Sequence, residues 1–359
     1  MRQLVLGDKT IADGDDCYVI AEIGNNHQGD IEKAKEMFRV AKNCDADAVK
    51  LQKRDNRSLF TREMYDSPYA NENSYGDTYG EHREALEFGR EEFVELKQYA
   101  EELDITLFAT AFDFNSADFL AELEMPFYKI ASADLKNTPL LRHVARIGKP
   151  MIVSTGGATM EDVDRAYEAI TPINQQLCIL QCTASYPAQV EDLHLRVLET
   201  YRDRFPDAVV GLSDHQDGIA MSLLAYALGA RVFEKHFTLH HTWKGTDHAF
   251  SLEPTGMRKM VRDLRRAGEA LGDGVKRQLQ CEVKPMFKMS KKLVAAGNLP
   301  VGHVLSTEDI AIKSPSDGLP PYQLDDLIGK RLSAPLAKDD TILWEHLETT
   351  ELPAHKSAA

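Results

Sequence analysis

The sequence predicts an α/β protein: a (β/α)8 barrel followed by a small C-terminal module. Three observations carry that prediction. Eight short runs rich in apolar and β-branched residues recur between residues 17 and 237, separated by stretches with apolar residues at three-and-four spacing. The runs are continuously apolar rather than alternating, as expected of strands covered on both faces. After about residue 272 the pattern breaks into short pieces punctuated by Pro and Gly. Strand–helix alternation implies right-handed crossovers into a parallel sheet, and eight such units in about 260 residues are the size of a closed barrel. A doubly wound open sheet is the competing arrangement, disfavoured because no GxGxxG follows the first strand.

In order, the expected strands are 17–24 (CYVIAEIG), 48–52 (AVKLQ), 106–112 (TLFATAF), 127–132 (FYKIAS), 150–156 (PMIVSTG), 178–184 (CILQCTA), 208–214 (AVVGLSD) and 231–237 (RVFEKHF). Helical periodicity occupies 31–43, 91–103, 116–123, 160–170, 192–204, 218–228 and 255–271. Asp30 and Asn115 stand just before two of these helices and are the expected N-caps. The aromatic, charged stretch 69–88 reads as a long loop after the second strand, on the active-site side; a packing loop is the plainer alternative. The expected domains are a barrel over 1–272, a linker over 273–288 and a module over 289–350, whose thin core requires docking onto something larger. The tail from Thr349 is expected to fray.

Composition excludes several classes of function. With 42 Lys+Arg against 57 Asp+Glu the net charge is −15, which argues against nucleic acid and anionic membranes as partners. No apolar run is long enough to span a bilayer, and residues 1–16 lack a signal-peptide pattern, so a cytoplasmic location is expected. The five cysteines form no paired framework; Cys17, Cys178 and Cys182 lie in apolar runs and read as buried free thiols of a reducing compartment.

Nearly every predicted strand ends in polar residues at its C-terminal end, where barrel active sites form. These are Glu22, Lys50 with Gln52, Thr110, Lys129 with Ser132 and Asp134, Ser154, Thr183 with Tyr186, Ser213 with Asp214 and His215, and Glu234 with Lys235 and His236. Any single Ser or Thr could be a satisfied loop partner; the set as a whole reads as a shared pocket. Lys50 and Lys129 inside apolar strands need a fixed anion, and with Ser132, Ser154 and Ser213 they read as a cradle for phosphate or carboxylate. A Schiff-base lysine is the rival. His215 and His236 end adjacent strands, about 4.8 Å apart, so both imidazoles can reach one labile divalent ion, with Glu22, Glu234 and Asp247 as acidic candidates near it.

Several of these stretches together resemble one family. AEIGNNHQGD (21–30), AVKLQ (48–52), KIASAD (129–134), STGGAT (154–159), QCTASYP (181–187), VGLSDHQDG (210–218) and FEKHFTLHHTWKGTDHAFSLEP (233–254) resemble the motifs of sialic acid synthases. The C-terminal piece resembles their antifreeze-like SAF domain. The resemblance implies condensation of phosphoenolpyruvate with an N-acyl-hexosamine, usually N-acetylmannosamine, to a nonulosonic acid and phosphate. It also implies a divalent metal (Mn²⁺, Mg²⁺ or Co²⁺) and a homodimer in which each SAF domain covers the partner's site. Carried over by motif, His215 and His236 are the metal ligands. Lys50, Thr110, Lys129, Ser132, Ser154 and Ser213 take phosphoenolpyruvate. Glu22, Asp134, Tyr186 and Asp247 serve the sugar or the acid–base steps.

The chain departs from many bacterial members at Asp134, where they have Glu, and at Ala184, where they have Asn. Lys313-Ser314-Pro315-Ser316 stands where they carry Lys-Arg-Pro-Gly. YGDTYGEHREALEF (75–88) and HTWKGTDHAFSLEP (241–254) look closer to animal-type enzymes, which use the 6-phosphorylated sugar. Because no committed basic cluster is evident in the sequence, the free sugar is the expected substrate, with the 6-phosphate and a pyruvate aldolase as alternatives. Lys53, Arg54, Arg57 and Lys244 are the residues that could receive a phosphate.

Overall fold

The computed structural model describes residues 2–14 and 16–348. The expected fraying from Thr349 lies outside them. The chain divides into two compact units, Met1–Gly272 and Asp273–Ala359.

In the first unit a hairpin of β1 (Gln3–Leu6) and β2 (Lys9–Ala12) precedes eight parallel strands. These are β3 (Tyr18–Gly24), β4 (Ala48–Lys53), β5 (Thr106–Ala111), β6 (Tyr128–Ile130), β7 (Met151–Ser154), β8 (Leu177–Cys182), β9 (Val209–Asp214) and β10 (Val232–His236). They pair in chain order, and β10 closes on β3, so the sheet is a barrel with no open edge. All eight strands lie where sequence periodicity put them, mostly within one or two residues at each end. The barrel fold is therefore a property of the apolar runs themselves.

Alternation along each strand divides the interior into two storeys. Toward the N-terminal ends, Tyr18, Ile20, Phe108, Ile152, Leu180 and Val232 fill the interior with Leu4, Leu6 and Ile11 of the hairpin. The hairpin thus plugs the barrel floor. Two residues further along the same inward faces, the apolar side chains give way to Glu22, Lys50, Thr110, Lys129, Ser154, Ser213 and Glu234, all buried. On β9 the intervening residue is Gly211, where a Cβ would meet the Val232 carbonyl oxygen at 2.1 Å. A side chain there would force β9 from β10. The opposite strand faces join the helices in a larger core that includes Phe38, Phe93, Leu141, Leu198 and Met257.

Helices Ile31–Asn43 and Met160–Ile170 have the expected bounds, and Asp30 caps the first by accepting from the amides of Glu32 and Lys33. The cap expected at Asn115 is corrected: the helix is Phe114–Glu122 and its N-cap is Asp113, which accepts from the Ser116 amide. Asn115 instead donates to Asp55 at 2.6 Å. The helix expected over 192–204 begins only at Val197. Helix Thr138–Arg146, not anticipated, completes the ring between β6 and β7.

The second unit contains the antiparallel pair β11 (Lys292–Ala295) and β12 (Ile310–Lys313), single-turn helices, and a small core of Leu293, Leu305, Leu327, Leu332 and Ile342. The stretch read as a linker carries a short helix, Val283–Met289. No helix among the described residues is long and apolar enough to cross a membrane.

Candidate active site

The upper storey opens into a cleft of about 670 Å³ lined by Glu22, Lys50, Thr110, Lys129, Ser132, Ser154, Tyr186, Ser213, His215, Glu234, His236 and Asp247. Eleven of the twelve residues assigned roles from the sequence therefore meet at one place, joined there by Glu234. Asp134 is the exception. It ends the single turn Ser132–Asp134 outside the lining, and its carboxylate accepts from Asn137 Nδ2 at 3.4 Å. A carboxylate there does not face the cleft, although Ser132 on the same turn does.

The buried charges are arranged as a quartet. Lys50 Nζ lies 2.9 Å from Glu22 Oε2 and 3.4 Å from Glu234 Oε1, and donates to Thr110 Oγ1 at 2.8 Å. Lys129 Nζ lies 3.8 Å from Glu234 Oε1 and donates to the Ile130 carbonyl at 3.1 Å. Two lysines thus face two carboxylates, a balance not foreseen when the lysines were read with the serines as a cation-and-hydroxyl cradle. Burial raises the Glu22 pKa more than Lys50 lowers it. Burial also lowers the Lys129 pKa, whereas Glu22 and Glu234 overcome burial at Lys50 and raise it. The Glu234 pKa is depressed: burial opposes its charge, but the two lysines prevail. Gln52 donates to Glu22 Oε1 at 2.7 Å. Glu234 Oε2 and Ser154 Oγ are buried without a hydrogen-bond partner, so the cleft keeps polar groups unanswered within the protein.

The two histidine rings lie 5.3 Å apart between centroids. His215 Nδ1 is 2.8 Å from the Thr183 carbonyl oxygen, which can only accept, so Nδ1 donates and Nε2 is the nitrogen left to act as a ligand. His236 Nδ1 is buried without a hydrogen-bond partner, 3.7 Å from Asp247 Oδ2. Burial lowers the His236 pKa, against the opposing charge of Asp247. Two imidazoles beside a carboxylate fit a divalent cation. Among the described residues no three His, Cys, Asp or Glu side chains converge as a complete ligand set, so water or substrate would have to fill further positions. Tyr186 stacks against His215 at 4.1 Å and Phe250 packs on His236 at 4.9 Å.

Other strand-end groups are structural. Asn26 donates to the Phe237 carbonyl and to Ser251 Oγ, and His27 stacks on Phe88. Lys235 and Asp214 form a buried 2.8 Å ion pair beside the two histidines. The structure also adds lining residues that had been given no role there, among them Asn73, Arg83, Phe112, Cys182 and Thr246. Asn73 and Arg83 come from the long loop after β4, which grips the loop after β10. Asn73 Oδ1 accepts from the Gly245 amide at 2.9 Å and Tyr75 OH donates to the Lys244 carbonyl at 2.7 Å.

Comparison with known proteins decides the lineage. The NeuB family model matches residues 37–276, and the SAF domain model matches residues 292–348. The chain belongs to the NeuB family. It is 43% identical over 330 residues to N-acetylneuraminate-9-phosphate synthase of Homo sapiens, covering 92% of both chains. It is 35% identical to N,N'-diacetyllegionaminic acid synthase of Legionella pneumophila, over 92% of this chain and 95% of that one. Among solved structures it resembles N-acetylneuraminic acid synthetase of Leptospira borgpetersenii, crystallised with citrate. That match has a TM-score of 0.69 and 30% identity over 79% of this chain and 95% of the other. As a NeuB-family protein it is a phosphoenolpyruvate-dependent nonulosonic acid synthase, a condensing transferase with a C-terminal SAF domain.

Proposed function

We propose that the chain condenses phosphoenolpyruvate with N-acetylmannosamine or a close N-acyl relative, giving a product with the N-acetylneuraminate skeleton and inorganic phosphate. The observation that carries this reading is the buried lysine pair, Lys50 and Lys129, with Ser154 Oγ unpartnered, in the same cleft as the His215–His236 pair. The lysines and the hydroxyls beside them suit a compact anion; the imidazoles suit the ion that would meet the sugar aldehyde. A bound Mn²⁺, Mg²⁺ or Co²⁺, held by His215 and His236 with Asp247 close by, would supply Lewis-acid polarisation of a carbonyl oxygen.

Lys50 and Lys129, with the hydroxyls of Thr110, Ser132, Ser154 and Ser213, would hold the phosphate and carboxylate of phosphoenolpyruvate so that its C3 faces the aldehyde carbon. After C3–C1 bond formation, positive charge at C2 is quenched by water, and phosphate leaves by C–O cleavage. Glu22, whose pKa is raised by burial, is placed to orient that water and take its proton. Three carbons joined to six make the nine-carbon acid, so C9 of the product is C6 of the sugar. The human relative is named for a product phosphorylated at C9, and that substituent would need a receptor in this cleft.

The test is phosphoenolpyruvate labelled with ¹⁸O at the bridging oxygen, incubated with N-acetylmannosamine and its 6-phosphate. The label should appear in the released phosphate. Unlabelled phosphate would place cleavage at phosphorus and overturn the mechanism. The depressed Lys129 pKa is the one feature that favours amine chemistry. Borohydride with pyruvate should nevertheless leave the enzyme active.

A further inference from the structure

We infer that Arg54 and Arg83 form a receptor for a phosphate at the far end of the sugar, so that the substrate is the 6-phosphorylated N-acyl-hexosamine. This rests on the condensation proposed above. Arg54 follows β4, the strand that carries Lys50 and Gln52, and at about 3.3 Å per residue it stands roughly 13 Å beyond Lys50 toward the mouth of the cleft. Arg83 arrives from the loop after β4, and both side chains line the same cleft as Asp247.

Arg54 is 8% exposed, and its guanidinium sits 3.8 Å over the Phe112 ring. Its Nη2 donates to Gln52 Oε1 at 2.7 Å, while its buried Nη1 has no hydrogen-bond partner. Glu87 Oε1 lies 3.6 Å from Nη1, but the Glu87 carboxylate is also 3.2 Å from Lys53 Nζ and accepts from the Arg54 amide. Lys53 balances Glu87. Arg83 is held through Tyr79 OH at 3.0 Å and has no carboxylate within 4 Å among the described residues. Burial and the charge of Arg83 together lower the Arg54 pKa to about 10.

Two guanidiniums in one cleft repel each other; Glu87 and Asp247 only partly offset Lys53, Arg54 and Arg83, and a buried guanidinium with an idle N–H is an unmet donor. A phosphate monoester carries about −1.5 to −2 charges and three acceptor oxygens, which answers both demands, and guanidinium is the side chain suited to receive it. A sugar hydroxyl could accept from the idle N–H but would leave the surplus positive charge unmet. The expectation of a free sugar came from finding no basic cluster along the sequence. Arg83 is 29 residues from Arg54, and only the fold brings them together.

The experiment uses the full-length, metal-loaded enzyme with phosphoenolpyruvate, comparing kcat/KM for N-acetylmannosamine and its 6-phosphate. Wild type should favour the phosphorylated sugar, and Arg83→Met or Arg54→Met should cut that preference about 30-fold or more. Arg83→Lys should recover part of it, because charge returns without the fork. The ratio between two sugars is blind to a general loss of folded enzyme. Arg83, half-buried on the short helix Tyr79–Glu84, gives the reading should Arg54→Met fail to fold. Equal use of both sugars by wild type, or a ratio unmoved in Arg83→Met, would overturn the inference while leaving the condensation intact. No phosphate release with either sugar would overturn the condensation and the receptor with it.

Discussion

Glu22, Lys50, Lys129 and Glu234 balance one another inside the barrel mouth, so an incoming anion must find its cation already engaged. Lys50 must turn from Glu22 toward the anion, which leaves that carboxylate free to take the proton of the attacking water. Lys50→Ala and Lys129→Ala should therefore raise the KM for phosphoenolpyruvate far more than that for the sugar, by about 2–5 kcal/mol in binding. Equal damage to both constants would remove the lysines from the anion end. The histidines make a separate prediction. His236→Ala should weaken Mn²⁺ binding, read by calorimetry on the enzyme without substrate, by more than the about 10–100-fold that loss of an outer partner costs. An unchanged affinity would place the ion elsewhere. At this scale most of the site was legible in the sequence. A Lys, Glu or His where an apolar run should continue is costly unless used, and such residues ended nearly every strand. Asp134 was misplaced because one-dimensional spacing cannot tell which side of a single turn faces the cleft.

The elements divide labour by storey: the lower barrel is sealed by a hairpin and the upper is closed in by loops. Leu4 and Leu6 alternate with exposed Gln3 and Val5, and four residues of alternation are too few to distinguish a strand from a polar N-terminus. That is why the hairpin escaped the sequence reading although the eight barrel strands did not. Its packing is nevertheless part of the main fold, since Leu6 is fully buried. Leu6→Ala should lower stability by about 2–5 kcal/mol, seen as a lower urea midpoint with an unchanged slope. A loss below about 1 kcal/mol would mean that the hairpin merely rests on the barrel. The stretch after β4 was read as functional from its length and aromatic content, with packing as the alternative; it carries the helix Tyr79–Glu84, and Arg83 was not singled out in it. Loop residues reach a site through tertiary contacts such as Asn73 with Gly245, which leave no periodic trace.

At the scale of the whole molecule, a barrel that already carries the quartet and the histidine pair is followed by a unit with its own small core. Such a core is thin for independent stability, which favours docking. We propose, on the strength of the family resemblance, that the SAF unit of one chain caps the cleft of a second copy. Excluding bulk water would protect the intermediate until the intended water attacks. Where many relatives carry an arginine the chain has Ser314, whose hydroxyl accepts from Lys291 at 2.6 Å. Closure here should therefore depend on exclusion rather than on one ion pair, and Ser314→Ala should change kcat less than about threefold, since surface substitutions usually stay within about 0.5 kcal/mol. Complementation tests the exchange itself. A full-length His236→Ala chain is mixed with a chain ending at Gly272, and the two are unfolded and refolded together. If caps act in trans, the mixed dimer joins the truncated chain's intact barrel to the full-length partner's cap, and activity returns although each parent alone is inactive. If the cap acts on its own barrel, every chain lacks either the histidine or the cap. A heterodimer demonstrated by mass but as inactive as its parents would establish closure in cis, and the proposed exchange would be wrong.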